Sequence, residues 1–100
     1  MRARRVIYAP DARDDLNGIY DWIAEANPSV AFTYVERIQS FCDGLSLATE
    51  RGTRRHDIRD GLRIVGFGRR VTIAFLVADD VVTILRVFYG GRNWQDELAT

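Results

Sequence analysis

A chain of 100 residues, 47% of them hydrophobic, can enclose one hydrophobic core but not two. We therefore expect a single domain over residues 1–100. The sequence contains no apolar run of about 18 residues, which excludes a membrane-spanning helix. The basic start of the chain is followed by an apolar run over only residues 6–8, too short for a signal peptide. A cytoplasmic location is expected.

The charges are balanced in number but unevenly distributed. The formal net charge is 0, yet residues 8–50 contain eight acidic residues against two arginines, and residues 51–70 contain seven arginines against two aspartates. A balanced charge argues against direct sequence-specific DNA binding. All 14 basic residues are arginine, so lysine-based acid–base chemistry is absent.

Residues that could carry chemistry are scarce. Cys42 is the sole cysteine, which excludes an internal disulfide and a cysteine-based metal cluster, and its apolar neighbours indicate a buried thiol. His56 is the sole histidine and lies in a polar segment with neither a second ligand nor a nucleophile beside it. We expect no catalytic residue, no metal site and no cofactor.

The first half of the chain predicts a strand and two helices. Residues 4–9 alternate as a short strand that stops at Pro10, and Pro10 suits the first turn of a helix. Apolar residues at helical spacing extend this helix to about residue 26. Asn27 and Pro28, an N-cap residue followed by proline, start a second helix that reaches about residue 47. The short join forces the two helices into an antiparallel hairpin.

The second half predicts three antiparallel strands after a polar connection over residues 48–61. These strands are residues 62–67, 71–78 and 81–89, and the last two form a hairpin around Asp79 and Asp80. A two-residue turn at this point fixes which residues face each other. The predicted pairs are Arg70 with Tyr89, Ile73 with Arg86 and Phe75 with Ile84.

The predicted fold is α+β: an N-terminal strand and an antiparallel helix hairpin packed on one face of a small antiparallel sheet of about four strands. Arg86 is the only charge on the apolar sheet face, and an unpaired buried charge is costly. We therefore expect Arg86 to form a structural ion pair with Asp15 or Asp21. Trp22 is expected to be half-buried against the second helix. No third helix remains to cover the other sheet face.

The order and spacing of particular residues narrow this fold to one family. They are Tyr8, Pro10, Ala12, Asp15, Leu16, Ile19, Tyr20, Gly52, Arg54, Gly61, Leu62 and Arg63, with residues 72–75 and 82–89. In these residues the chain resembles the ParE toxins of bacterial type II toxin–antitoxin systems, within the wider RelE/ParE superfamily. The resemblance covers roughly residues 6–94, and no single motif in it is diagnostic.

The resemblance implies a toxin, with an activity that depends on the branch of the superfamily. RelE-like members are ribosome-dependent messenger RNA endonucleases with basic side chains just after the last strand, whereas ParE-like members are associated with poisoning DNA gyrase. Here Tyr89 is followed by Gly90 and Gly91, which have no side chain to stabilise a phosphorane or move a proton. We therefore expect a gyrase inhibitor that acts by binding and is neutralised by a ParD-like antitoxin in a hetero-oligomer.

Two alternative functions stay open. The first is a RelE-like endoribonuclease that uses arginines and Tyr89 in place of the usual catalytic set. The second is a non-toxic module that only binds an antitoxin and regulates its operon. Cleavage of messenger RNA that depends on Tyr89 or Arg92 would favour the first alternative, and unchanged growth on expression would favour the second.

Two surfaces are expected to carry the binding. Tyrosine, arginine and tryptophan are enriched at binding hot spots. The target-binding candidates are Arg69, Arg70, Tyr89, Arg92 and Trp94. Simple solvation of the arginines, and packing of Trp94 over the end of the sheet, are the alternatives. The uncovered sheet face and its basic rim are expected to bind the antitoxin's amphipathic C-terminal segment. The antitoxin-binding candidates are Arg54, Arg63, Thr72, Ala74, Leu76, Leu85 and Val87.

Overall fold

Strands and helices account for most of the described chain. The computed structural model describes residues 3–90 and 94–99. The elements in order are β1 (Arg5–Tyr8), α1 (Pro10–Ala24), α2 (Pro28–Gly44), a 3₁₀ turn (Thr49–Arg51), β2 (Thr53–Arg54), β3 (Leu62–Phe67), β4 (Val71–Val77), β5 (Val81–Tyr89) and α3 (Trp94–Ala99). This arrangement confirms the predicted α+β fold. Within these residues, no helix has the length and apolar content that crossing a membrane requires.

Both helices of the hairpin begin at a proline. The first turn of a helix has no partner for its backbone N–H groups, so Pro10 and Pro28 cost no hydrogen bond there. Oδ1 of Asn27 accepts a hydrogen bond from the N–H of Val30 at 3.2 Å and caps α2. Each helix buries one face. The buried residues are Ala12, Leu16 and Ile19 on α1 and Ala31, Ile38 and Cys42 on α2.

The strand order in the sheet is β1-β5-β4-β3-β2. β1 runs parallel to β5 and pairs with it only over residues 81–84, whereas the other neighbouring strands are antiparallel. The strand that the sequence did not predict is β2, which lies in the polar connection and pairs with Arg63 and Ile64 of β3. Two residues are too few to show the alternation by which a strand is recognised.

A β-bulge interrupts the hairpin of β4 and β5. Phe75 pairs with Ile84 as predicted, but the next pair is Ala74 with Arg86, so Leu85 is an extra residue on β5. Every pair beyond this point is shifted by one residue, and the predicted partners of Arg70 and Ile73 are therefore wrong. The observed pairs are Ile73 with Val87, Thr72 with Phe88 and Val71 with Tyr89.

The bulge exchanges the two faces of the last residues of β5. Val87, predicted on the uncovered face, is buried in the core beneath the helices, and the next residue, Phe88, is buried on the opposite face. Residues 84–88 are apolar on both faces except for Arg86, so alternation alone does not reveal the extra residue.

A second core lies on the sheet face opposite the hairpin of α1 and α2. Its fully buried members are Leu62, Ala74 and Phe88. The partly buried side chains around them are Ile58, Ile64, Leu76, Leu85, Trp94 and Leu98. Trp94 and Leu98 belong to α3, so the prediction that no helix remains for this face is wrong. A six-residue helix is too short to show a helical period in the sequence.

Candidate functional site

Three aromatic rings meet where β5 ends beside the helix hairpin. The ring centroid of Tyr89 lies 5.4 Å from that of Trp22 on α1 and 6.0 Å from that of Tyr34 on α2, both in edge-to-face arrangements. Such contacts are a preferred geometry of aromatic pairs. Trp22 is 61% exposed. The prediction that Trp22 is half-buried against α2 is therefore wrong, because the ring contacts Tyr89 at the surface instead.

A partly buried carboxylate, that of Asp15, holds the strand that carries Tyr89. Oδ2 of Asp15 accepts hydrogen bonds from Nε of Arg86 at 2.7 Å and from the backbone N–H of Val87 at 2.8 Å. Oδ1 of Asp15 accepts a third bond from Nη2 of Arg86 at 3.0 Å. Because β1 pairs only with residues 81–84, α1 rather than β1 contacts this part of β5 on the edge away from β4. The bonds to Asp15 raise the pKa of the Arg86 guanidinium.

Arg86 also connects this site to α3. Its Nη2 lies 3.5 Å from Oε1 of Glu97, and its guanidinium carbon lies 4.7 Å from the ring centroid of Phe88. One guanidinium therefore links α1, β5 and α3. Asp21, the other predicted partner of Arg86, is exposed on α1.

Arginines approach the rings from the α2 side. Burial raises the pKa of Tyr34, Tyr89 adds to that effect, and the nearby guanidinium groups of Arg70 and Arg37 oppose it. Arg70 lies in the turn between β3 and β4, and its carbonyl oxygen accepts a hydrogen bond from the N–H of Gly90 at 2.8 Å. Gly90 has a φ of 80°, a conformation that favours glycine, so the chain turns away directly after Tyr89.

Two clefts flank the rings. The cleft on the α1 side has a volume of about 340 Å³ and is lined by Asp14, Asp15, Gly18, Ile19, Trp22 and Tyr89. The cleft on the α2 side has a volume of about 310 Å³ and is lined by Ser29, Val30, Thr33, Tyr34 and Arg37. We call the three rings of Trp22, Tyr89 and Tyr34 the ring row. Carboxylates therefore border one side of the ring row, and guanidinium groups border the other.

The structure divides the target-binding candidates between two faces. Arg70 and Tyr89 lie at the ring row, and Arg69 is exposed in the same turn as Arg70. Trp94 lies on the opposite face in the second core, with the guanidinium carbon of Arg55 5.5 Å from its ring centroid. Arg92 lies outside the described residues.

The antitoxin-binding candidates differ widely in exposure. Ala74 and Val87 are 0% and 1% exposed. Leu76 and Leu85 are partly buried at the second core, and Thr72 is also partly buried. Arg54 is exposed on β2, whereas Nη1 of Arg63 lies 3.5 Å and 3.4 Å from the carbonyl oxygens of Thr49 and Gly52. Both residues are arginines, so the sequence did not show that one is exposed and the other lies against backbone carbonyl groups.

Sequence reasoning missed Trp22 and Tyr34 as members of the site. Both side chains contact Tyr89 across more than 50 positions of the chain, and local patterns carry no signal for such a contact. The exposed aromatic character of Trp22 was the available indication, since tryptophan is enriched at binding surfaces.

The groups with reactive potential serve structural roles. Nδ1 of His56 accepts a hydrogen bond from the N–H of Gly61 at 3.2 Å and thereby closes its own loop. Burial raises the pKa of the Cys42 thiol to about 12, and burial together with a 2.8 Å hydrogen bond to Asp43 raises the pKa of Tyr8. Over residues 3–90 and 94–99, no three His, Cys, Asp or Glu residues are grouped as a metal site requires.

Comparison with solved structures agrees with the fold. A chain from the chromosomal ParDE toxin–antitoxin system of P. aeruginosa matches with a TM-score of 0.74 and 23% identity, over 88% of this chain and 97% of that chain. A chain from the toxin–antitoxin complex RelBE2 of Mycobacterium tuberculosis matches with a TM-score of 0.61 and 24% identity, over 92% of this chain and 97% of that chain. No match was found among curated proteins.

A family model gives the assignment at the level of sequence. The model of the ParE toxin of type II toxin–antitoxin systems matches residues 6–94, which include both helices of the hairpin and all five strands except the first residue of β1. The ring row around Tyr89 and the ion pair of Asp15 with Arg86 lie within these residues. The chain therefore belongs to the ParE toxin family of type II toxin–antitoxin systems.

Proposed function

We propose that this ParE-family toxin inhibits DNA gyrase by binding to it, that a ParD-like antitoxin neutralises it, and that it works in the cytoplasm as a single domain. Family membership supports a toxin, and the structural match to a chain of a ParDE system supports a ParD-like partner. The proposed target is the one associated with the ParE branch of the superfamily.

The arrangement at the end of β5 carries the proposal that the toxin acts by binding. Tyr89 is packed between two aromatic rings, and the next residue, Gly90, offers no side chain for proton transfer. A nuclease needs groups that move protons and stabilise charge around the scissile phosphate. An exposed tryptophan beside tyrosines and arginines is instead the composition of a protein-binding hot spot.

The antitoxin is proposed to bind the second sheet face and its basic rim. α3 already covers part of this face, so the proposed contacts are the candidates that keep exposed or partly exposed side chains. They are Arg54, Arg63, Thr72, Leu76 and Leu85. Buried Ala74 and Val87 are no longer proposed as direct contacts. The antitoxin's amphipathic C-terminal segment is proposed to place an apolar strip against the sheet face. Acidic side chains beside that strip would then meet the arginines of the rim.

Supercoiling of relaxed plasmid by purified gyrase tests the proposed target. We expect the toxin to inhibit supercoiling, to accumulate cleaved DNA, and to lose both effects when a ParD-like antitoxin is added. Absence of inhibition at large molar excess would reject gyrase as the target. Ribosome-dependent cleavage of messenger RNA by the same preparation would then favour a nuclease.

A pull-down with the antitoxin tests the partner separately. The matched variants are Arg54→Glu, on the proposed antitoxin face, and Arg13→Glu, an exposed arginine on α1. We expect only the first variant to weaken antitoxin binding. Equal binding by both variants would place the antitoxin on another surface.

A further inference from the structure

The two sides of the ring row carry opposite charges. On its α1 side, Asp15 is paired with Arg86, so Asp14 is the exposed carboxylate that borders the cleft. On its α2 side, the guanidinium groups of Arg37 and Arg70 act on Tyr34, and Arg37 lines the cleft itself. An apolar strip therefore separates a negative border from a positive one.

We infer that the ring row with its two charged borders is the contact surface for the toxin's target, and that it binds one segment of a protein in one orientation. The segment presents an apolar side chain to Trp22 and Tyr89, a carboxylate to Arg37 and Arg70, and a basic side chain to Asp14. This inference rests on the proposed toxin function and specifies the chemistry of the target surface.

The rings favour an apolar anchor from the partner. Trp22 is 61% exposed, and in the cleft beside it Gly18 has no atom within 4 Å of the position that a Cβ would take. A side chain from the partner can therefore enter between the helix and Tyr89. The edge-to-face contacts and the bonds of Asp15 to β5 already hold the rings, so little side-chain freedom is lost on binding.

The charges determine the orientation of the segment. A segment that entered in the reverse direction would place a carboxylate beside Asp14 and a basic group beside Arg37 and Arg70. Like charges brought together at an interface oppose binding, and complementary charges also speed association. The opposite charges on the two sides of the ring row therefore favour a partner with complementary charges and disfavour a partner without them.

Charge and ring variants with matched controls test this inference. Arg70→Glu is compared with Arg59→Glu, an exposed arginine in the connection before β3, and Asp14→Lys is compared with Asp21→Lys on the same helix. Trp22→Ala removes the exposed ring. Each variant is measured for growth arrest on induction, for inhibition of gyrase supercoiling, and for its melting temperature as a check on folding.

We expect Trp22→Ala to raise the toxin concentration for half-inhibition by about thirtyfold, the cost of a typical hot spot, and Arg70→Glu and Asp14→Lys by about tenfold. Arg59→Glu and Asp21→Lys should stay within about threefold of the unmodified toxin, since neither residue lines a cleft or has a charge that acts on Tyr34. All five variants should keep the melting temperature within a few degrees, because the altered side chains are exposed.

The outcomes separate this inference from the proposed function. Full growth arrest by folded Trp22→Ala and Arg70→Glu would overturn the inference while leaving the toxin function in place. Growth arrest by the unmodified toxin without gyrase inhibition would reject gyrase, and the loss of arrest in the three ring-row variants would then still support the surface. An unmodified chain that does not arrest growth would overturn both.

Discussion

The Nε atom of Arg86 lies 2.7 Å from Oδ2 of Asp15, and this contact joins α1 to the last strand of the sheet. The same carboxylate oxygen accepts the backbone N–H of Val87, two residues before Tyr89. The side chains of the pair are only 21% and 9% exposed. The ion pair therefore fixes the position of Tyr89 relative to the helix that carries Trp22.

Substitution Asp15→Asn is expected to lower the free energy of unfolding by about 2–3 kcal/mol. The amide cannot neutralise Arg86, and breaking a largely buried pair leaves one charge without compensation. Urea unfolding measures the difference. The matched control is Asp21→Asn on the exposed face of α1, which should change the stability by no more than about 0.5 kcal/mol. Equal stability of the two variants would contradict a structural role for Asp15.

The sequence predicted the elements whose signals are local. Pro10, Asn27 and Pro28 mark helix starts by their own backbone chemistry, and a turn at Asp79 and Asp80 predicted the pairing up to Phe75 with Ile84. The need of Arg86 for a carboxylate also followed from the cost of an unpaired charge. These predictions depend on neighbouring residues or on single energetic rules.

The features that the sequence did not predict depend on distant or short elements. The bulge at Leu85 lies among residues that are apolar on both faces, so either register buries apolar side chains. α3 and β2 are too short to show a period. The contact of Trp22 with Tyr89 depends on how α1 lies across the sheet, which tertiary packing decides. The rings of the candidate site meet through this packing and through β5 beyond the bulge, so only Tyr89 and Arg70 among the residues around them were predicted as target-binding residues.

Gly52 and Gly18 provide opposite tests of packing. A Cβ at Gly52 would lie 2.5 Å from Cζ of Phe75 and 2.9 Å from Cβ of Arg63, so Gly52→Ala is expected to destabilise the protein by about 1–3 kcal/mol. Gly18 lies within α1 with open space at its Cβ position, and Gly18→Ala should stabilise by about 0.5–1 kcal/mol because alanine favours the helix. Thermal or urea unfolding of both variants would reveal the opposite signs, and a tolerated Gly52→Ala would show that Phe75 can move.

The buried thiol of Cys42 predicts a loss of stability at alkaline pH. Above the ordinary thiol pKa of 9.0, the unfolded chain loses the proton, whereas the folded chain keeps it until about 12. The unfolded state then binds fewer protons, so stability falls as pH rises, by at most about 1.4 kcal/mol per pH unit for one group. Between pH 9.0 and 10.0, where Cys42 contributes more than Tyr8 and Tyr34 because their ordinary pKa is 10.0, Cys42→Ala should show a shallower decline. Parallel declines in the two proteins would refute the assignment to Cys42.

Substitution Tyr89→Phe separates a binding role from a catalytic one. The phenyl ring retains the edge-to-face contacts with Trp22 and Tyr34 at 5.4 Å and 6.0 Å, and it removes only the hydroxyl group. If the toxin acts by binding through the rings, Tyr89→Phe should inhibit gyrase within about threefold of the unmodified protein, a change near 0.6 kcal/mol.

Tyr89→Ala is the companion variant, because it removes the ring that joins α1 to α2 at the surface. We expect it to lose inhibition by about thirtyfold, as for a hot-spot residue, with a lower melting temperature from the lost packing. Val81→Ala on the same strand, also partly buried, provides the matched control for reduced stability without loss of the rings. If instead Tyr89→Phe abolished toxicity while it folded normally, the hydroxyl group would be essential, and proton transfer at this position would become the better explanation.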